Sequence, residues 1–180
     1  VSAVSFGEAL GPSRGEPQAE ALTWQDGFLQ AHAVAAHAPY SIPAQRIKEL
    51  KARSHELPFC IHLAESRAEV EFFSGEGHEG RRLQAFLSGR GLERSELGLS
   101  AERPLQHLIN LGVVDEHTLL VHGVQLNERE VDQVAQSGAK LCICPRSNLE
   151  LTGDIAPVSR LLAAGVIVCL GTDTLASAPD

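Results

Sequence analysis

The sequence is poor in aromatic residues, with one Trp, one Tyr and six Phe in 180 positions. It has no Lys/Arg cluster beyond Arg81-Arg82 to interrupt a net charge of −8. Readers of a phosphate backbone need basic patches, and those that grip single strands add stacking rings. No nucleic-acid partner is therefore expected. No apolar run approaches the roughly 18 residues of a membrane helix, so no membrane partner is expected either. The opening "VSAVSFGEAL" has no basic region ahead of its apolar residues and lacks a signal-peptide layout. A glycine-rich phosphate loop after the first apolar run is also missing, which argues against a nucleotide fold. The four cysteines, Cys60, Cys142, Cys144 and Cys169, form no Cys-x-x-Cys pair. Each lies in an apolar run, which favours buried thiols in a reducing, cytoplasmic setting over disulfides or a zinc knuckle.

What is present suits one globular domain: 43% hydrophobic and 21% charged residues, in a chain long enough for a real core. Six segments share one form, a short β-rich run followed by a polar residue and then a helical stretch. They are 1–6, 31–41, 58–66, 117–126, 139–148 and 165–174. Helix signals fill the intervals. Ser41 reads as a cap before Pro43, Asn127 caps a helix that stops at Gly138, and Pro157 and Gly165 bracket another. "RPLQHLINLG" (103–112) reads likewise. The stretch 74–102 is polar and rich in Gly and Ser. It reads as a mobile, loop-dominated insertion with a short helix at "RRLQAFLSGRG".

Strands alternating with helices imply a parallel sheet, and continuously apolar strands imply cover on both faces. An open doubly wound sheet and a (β/α)8 barrel both meet that description. The positions of the reactive residues favour the barrel. His37, His62, Glu65, His122 and Asp173 follow the carboxyl ends of several different strands, which a barrel gathers at one mouth.

A neutral imidazole and a carboxylate suit a divalent metal that keeps a position open for water. His62 and Asp173 fit that role. Glu65 lies one short turn beyond His62 and could move protons at the same water. His122 could bind the metal or hydrogen-bond that water. Taken singly, each has a plainer reading as a loop residue, a turn or a helix cap. Their conjunction carries the case. His32, His55, His78, His107 and His117 read as structural or exposed.

The blocks "HAPYS", "IHLAES", "LLVHGVQL", "CPRSNLELTG" and "GVIVCLGTDTLAS" together resemble the amidohydrolase superfamily, in its nucleoside and base deaminase/chlorohydrolase branch. The likeness covers essentially the whole chain. It implies zinc or iron bound by His62 and Asp173, with His122 assisting at the metal-bound water. Glu65 would be the proton shuttle for attack by metal-bound hydroxide. His37, Ser147 and Asn148 would face a small-molecule substrate, the last two from a loop. The nearest resemblance is to deaminases of adenine nucleosides, such as aminodeoxyfutalosine, S-adenosylhomocysteine and methylthioadenosine. A chlorohydrolase, or a truncated barrel that binds without turnover, stays open as an alternative.

The chain departs from the family in one respect: it has no His-x-His pair, which ends the first strand there and gives two metal ligands. By motif order, Val1 falls near the third strand and Asp180 just after the eighth. The expected fold over 1–180 is thus α/β, an incomplete (β/α)8 TIM-type barrel of about six of eight βα units, the third to the eighth. Weak metal binding and no meaningful turnover are expected of these residues alone. Open sheet edges lead to an expected homo-oligomer.

Overall fold

The computed structural model describes residues 3–11, 20–25, 28–100, 102–174 and 176–177. Six strands run parallel in the order β1 (Ala3–Ala9), β3 (Phe28–Ala36), β4 (Phe59–Leu63), β5 (Thr118–His122), β6 (Lys140–Ile143) and β7 (Val168–Leu170). Each is followed in space by its successor, as the repeated pattern implies. The sheet does not close: β1 and β7 are the two ends of the parallel path. An incomplete barrel-type array of six units is therefore what forms. The antiparallel strand β2 (Glu20–Gln25), which pairs with β3, was not expected from the sequence.

Side-chain alternation divides the sheet into two unlike faces. Phe59, Ile61, Leu63, Leu120, Leu141 and Ile143 point outward and are buried under helices. Their cover comes from α1 (Ala44–Ser54) through Ile47 and Leu50, and from α4 (Pro104–Asn110) through Leu105 and Leu108. Val131 and Val134 of α5 (Glu128–Ser137) and Leu161 of α7 (Val158–Ala163) complete it. The opposite face carries Cys60, His62, Leu119 and Cys142, all half-buried. At the amino-terminal end of the strands, Val4, Phe6, Pro58 and Leu119 line an apolar cavity of 430 Å³. Thus one face is packed by helices while the would-be barrel interior is only partly filled.

Several expectations need correction. The segment 74–102 holds more helix than the short one expected at "RRLQAFLSGRG": α3 (His78–Ser88) starts three residues earlier, and a 3-10 turn spans Arg94–Glu96. Gly80 is buried, because α3 starts against α2 (Arg67–Ser74) at backbone distance. A Cβ there would stand 2.6 Å from the Glu71 carbonyl carbon. Phe72, Phe73, Leu87 and Leu97 form a second small core under this pair. Ser147 and Asn148 lie not in a loop but in helix α6 (Pro145–Thr152), where Pro145 opens the first turn and Gly153 ends it in the left-handed conformation. Ser41 does not cap α1, whose cap position is Pro43. Its hydroxyl instead contacts His37 and donates to the Ala38 carbonyl. Of the four thiols only Cys144 is buried, and Cys169 is exposed because β7 has no strand on its far side among the described residues. No helix among the described residues is long and apolar enough to cross a membrane.

Candidate active site

The carboxyl ends of β1, β3, β4, β5 and β7 bring Glu8, His37, His62, Glu65, His122 and Asp173 to one mouth. Backbone bonds fix the order. His37 N donates to Ala9 O at 3.1 Å, and His62 N donates to His37 O at 3.0 Å. Gly123 N donates to Leu63 O at 3.0 Å and Gln125 N to Ala64 O at 2.8 Å, joining the loops after β4 and β5. Three non-glycine residues here hold left-handed backbone: Ala64 (φ 50°), His122 (φ 77°) and Asp173 (φ 62°). Such conformations cost about 1–3 kcal/mol each and persist only where surrounding bonds enforce them.

His122 is at the centre. Its Nε2 lies 2.9 Å from His62 Nδ1 and 3.5 Å from Glu65 Oε1. One proton must sit between the two rings, which stack with centroids 5.0 Å apart. On the other side, His122 Nδ1 meets the Asn148 side-chain amide at 3.0 Å. Potential ligand atoms of Glu65, His122 and Asp173 all lie within 4.8 Å of one another, a spacing a metal ion could bridge. His62 is outside that compact group although it touches His122. Asp173 is exposed, and its Oδ2 accepts from Ser147 Oγ at 2.5 Å and Ser177 Oγ at 3.2 Å. Ser147 therefore holds the carboxylate, a contact the sequence did not suggest.

His37 stands at the side of the mouth. Its ring lies 5.5 Å from that of His62 and edge-on to Tyr40, and Nδ1 is 2.6 Å from Ser41 Oγ. Glu8 was not singled out in the sequence, yet its Oε1 lies 3.4 Å from His62 Nε2. The available signal was position: Glu8 comes two residues after "VSAVSF", at the carboxyl end of its strand, as the other site residues do.

These groups differ in their affinity for protons. Burial lowers the pKa of His122 and of His37, and the neighbouring His62 pushes both the same way. Burial also opposes charge on His62, but the Glu8 carboxylate, aided by Glu65 and Asp173, outweighs it and raises the value. Glu8 is lowered in turn, chiefly through its contact with His62. The mouth therefore favours two neutral imidazoles and one that readily holds a proton.

The Asn148 side chain tests whether the site suits a metal. Its Oδ1 is buried and has no hydrogen-bond partner. A half-turn of the amide places that oxygen on His122 Nδ1–H and puts the ring's lone pair on Nε2, where it faces the His62 Nδ1–H. Histidines that bind metals typically donate their other ring N–H in this way. The donor set of imidazole and carboxylates suits zinc or a similar divalent ion.

A profile of the amidohydrolase family matches residues 13–178. The chain belongs to the amidohydrolase family. The 5-methylthioadenosine/S-adenosylhomocysteine deaminase of Syntrophobacter fumaroxidans is 34% identical over 156 residues, which is 86% of this chain and 30% of that protein. Among solved structures, a zinc-bound adenosine deaminase from Xanthomonas campestris superposes with a TM-score of 0.66 at 29% identity. That alignment covers 87% of this chain and 31% of the other. Helicobacter pylori aminofutalosine deaminase shares the fold, with a TM-score of 0.71 at 24% identity over 97% of this chain and 45% of that one. The chain thus spans about a third of the length of the curated relative it matches. The resemblance named from the motifs is therefore to the right family, and the barrel-type architecture agrees with it.

Proposed function

We propose that the intact gene product is a metal-dependent hydrolytic deaminase of adenine nucleosides. The observation that carries this reading is the compact Glu65–His122–Asp173 group, with His62 against His122 at 2.9 Å, at the strand ends of an amidohydrolase sheet. The names of the relatives support the substrate class, an adenine nucleoside carrying a 5′-thioether.

Asp173, His62 and His122 are the residues that would hold or flank the metal. When bound, such a metal supplies Lewis acidity and makes water nucleophilic at neutral pH. Water adds to the ring carbon bearing the amino group, and the carbon–nitrogen bond breaks to release ammonia. Glu65 carries one proton of the attacking water to the ring nitrogen, and then the proton of the newly formed hydroxyl to the leaving amine. Its place beside His122 suits that work, because a proton-transfer group must lie within hydrogen-bond reach of the water it serves. Neutral His122, with its proton on Nδ1 towards Asn148, would ligate the metal through Nε2 or accept a hydrogen bond there from the attacking water. His37, kept neutral by burial, faces the substrate with Tyr40 and Ser41 behind it. Ser147 orients Asp173, and Asn148 fixes the ring of His122.

The test is turnover of S-adenosylhomocysteine and methylthioadenosine by the zinc-loaded gene product, followed by ammonia release. Glu65→Gln should lower kcat by roughly 10²–10⁴-fold, the usual worth of a positioned acid–base group. Metal content should stay the same. A zinc-loaded protein that turns over neither nucleoside, or a Glu65→Gln variant of undiminished kcat, would remove this reading.

A further inference from the structure

Glu69 is an acidic side chain in the wrong place for an acid. It is 1% exposed, in the first turn of α2, and no cation pairs with it among the described residues. Burying an unpaired carboxyl is costly unless hydrogen bonds satisfy its oxygens. Its Oε1 accepts from Ala64 N at 2.9 Å, and its Oε2 from Glu65 N at 3.0 Å.

An ordinary helix start does not explain these contacts. Glu69 is the third residue after the cap Ser66, a position whose carboxylate commonly reaches back to the cap's own amide. Glu130 does just that in α5, accepting from Asn127 N at 2.9 Å. Glu69 instead reaches one and two residues further back, past Ser66, to the peptide that carries Glu65. The same peptide is gripped on its other side, where Ala64 O accepts from Gln125 N. Ala64 sits at φ 50°, a conformation these bonds hold against its intrinsic preference.

We propose that Glu69 is a positioning residue for Glu65: its buried carboxyl clamps the Ala64 and Glu65 amides and so aims the Glu65 side chain at His122 Nε2. The clamp acts through the backbone, and Glu69 itself does not touch the reacting atoms. This inference rests on the reading of Glu65 as the proton carrier.

The test uses the intact, zinc-loaded gene product and two variants, Glu69→Ala and Glu69→Gln. Misplacing a reacting group by about 1 Å can cost about 10²-fold. Glu69→Ala should therefore lower kcat on S-adenosylhomocysteine by roughly 10–100-fold, with KM within about threefold, since binding is not the step disturbed. Amide hydrogen exchange should quicken by about tenfold or more at Ala64 and Glu65 while Ile61 and Leu120 keep their rates. Glu69→Gln retains one accepting oxygen and should fall between wild type and alanine on both measures. A folded Glu69→Ala protein with wild-type kcat, or with unchanged exchange at the two amides, overturns the proposal. If the alanine variant does not fold, the glutamine variant decides by the same two measures. If the wild-type protein does not deaminate, the functional reading fails by itself, and the exchange rates still decide whether Glu69 clamps this turn.

Discussion

The two sides of the mouth rest on the same kind of parallel strand pair but are held very differently. On one side β4 and β5 match over five registered residue pairs, from Phe59 with Thr118 to Leu63 with His122. Their outward side chains are fully covered, and the loops beyond them are laced together by Gly123 N, Gln125 N and the Glu69 carboxyl. On the other side β7 matches β6 over three pairs and has no further neighbour among the described residues. Leu170 is 77% exposed there, and Ile167 64%. Asp173 is held by the hydroxyls of Ser147 and Ser177. The side that carries Glu65 and His122 is thus built into the core, while the carboxylate of β7 stands at an uncovered margin. Pre-organisation here follows the number of neighbours an element has, since both sides have similar strand chemistry.

The comparison breaks if the β4–β5 side proves soft. Leu120 is fully buried in the main core, and Leu120→Ala should cost about 2–5 kcal/mol in denaturant unfolding, from lost burial plus the cavity left behind. A cost below about 1 kcal/mol would show that this core relaxes freely.

A smaller effect should come from the cover over that side. His107 on α4 is 2% exposed, packs against the Phe73 ring at 5.3 Å and leaves Nε2 without a partner. Burial lowers its pKa, with only weak opposition from Glu102. The folded state therefore binds the proton less well than the unfolded chain. Stability from the neutral ring is present above about pH 6.5, the ordinary value, and is lost as pH falls toward the lowered folded value. Unfolding midpoints measured from pH 7.5 to 5 should fall less steeply in His107→Gln than in wild type. Equal slopes would mean that His107 is solvated.

The smallest effect belongs to the margin. Leu170→Ala should change stability by less than about 0.5 kcal/mol, as exposed positions generally do. A loss comparable to that of Leu120→Ala would mean that β7 is covered in solution.

Much of this arrangement was legible in the sequence because it is periodic or punctuated. Each parallel strand announced itself as an apolar run ending on a polar residue, and Asn127 and Gly138 marked α5 correctly as its cap and its left-handed stop. His62, Glu65, His122 and Asp173 could be placed at one mouth from their shared position after strands. Three features lacked such a signal. Helix α6 begins straight from β6 on Cys144-Pro145, with no loop between for a reader to find. The body of helix α3 is legible at "RRLQAFLSGRG", but its start is not, since Gly80 is there because α2 crosses within backbone contact. Glu8 and Glu69 look like solvated acids in the sequence. Only tertiary contact reveals that one faces His62 and the other is sealed against the turn before its own helix.

The α2–α3 corner has a consequence for how the chain reaches this structure. Glu71 of α2 accepts from Glu79 N at 2.9 Å and Gly80 N at 3.1 Å, so one helix supplies the cap of the next. Arg94 returns to the Phe72 and Phe73 carbonyls at 3.1 and 2.9 Å, closing the unit within 30 residues. Its partners are near in sequence, so the entropy of closing these loops is small. Each parallel strand pair, by contrast, must wait for the intervening helix to be spanned. Local contacts of this kind form fastest. The segment that looked like an interruption of the pattern is thus suited to be an early-forming lobe against which β4 and β5 can later settle.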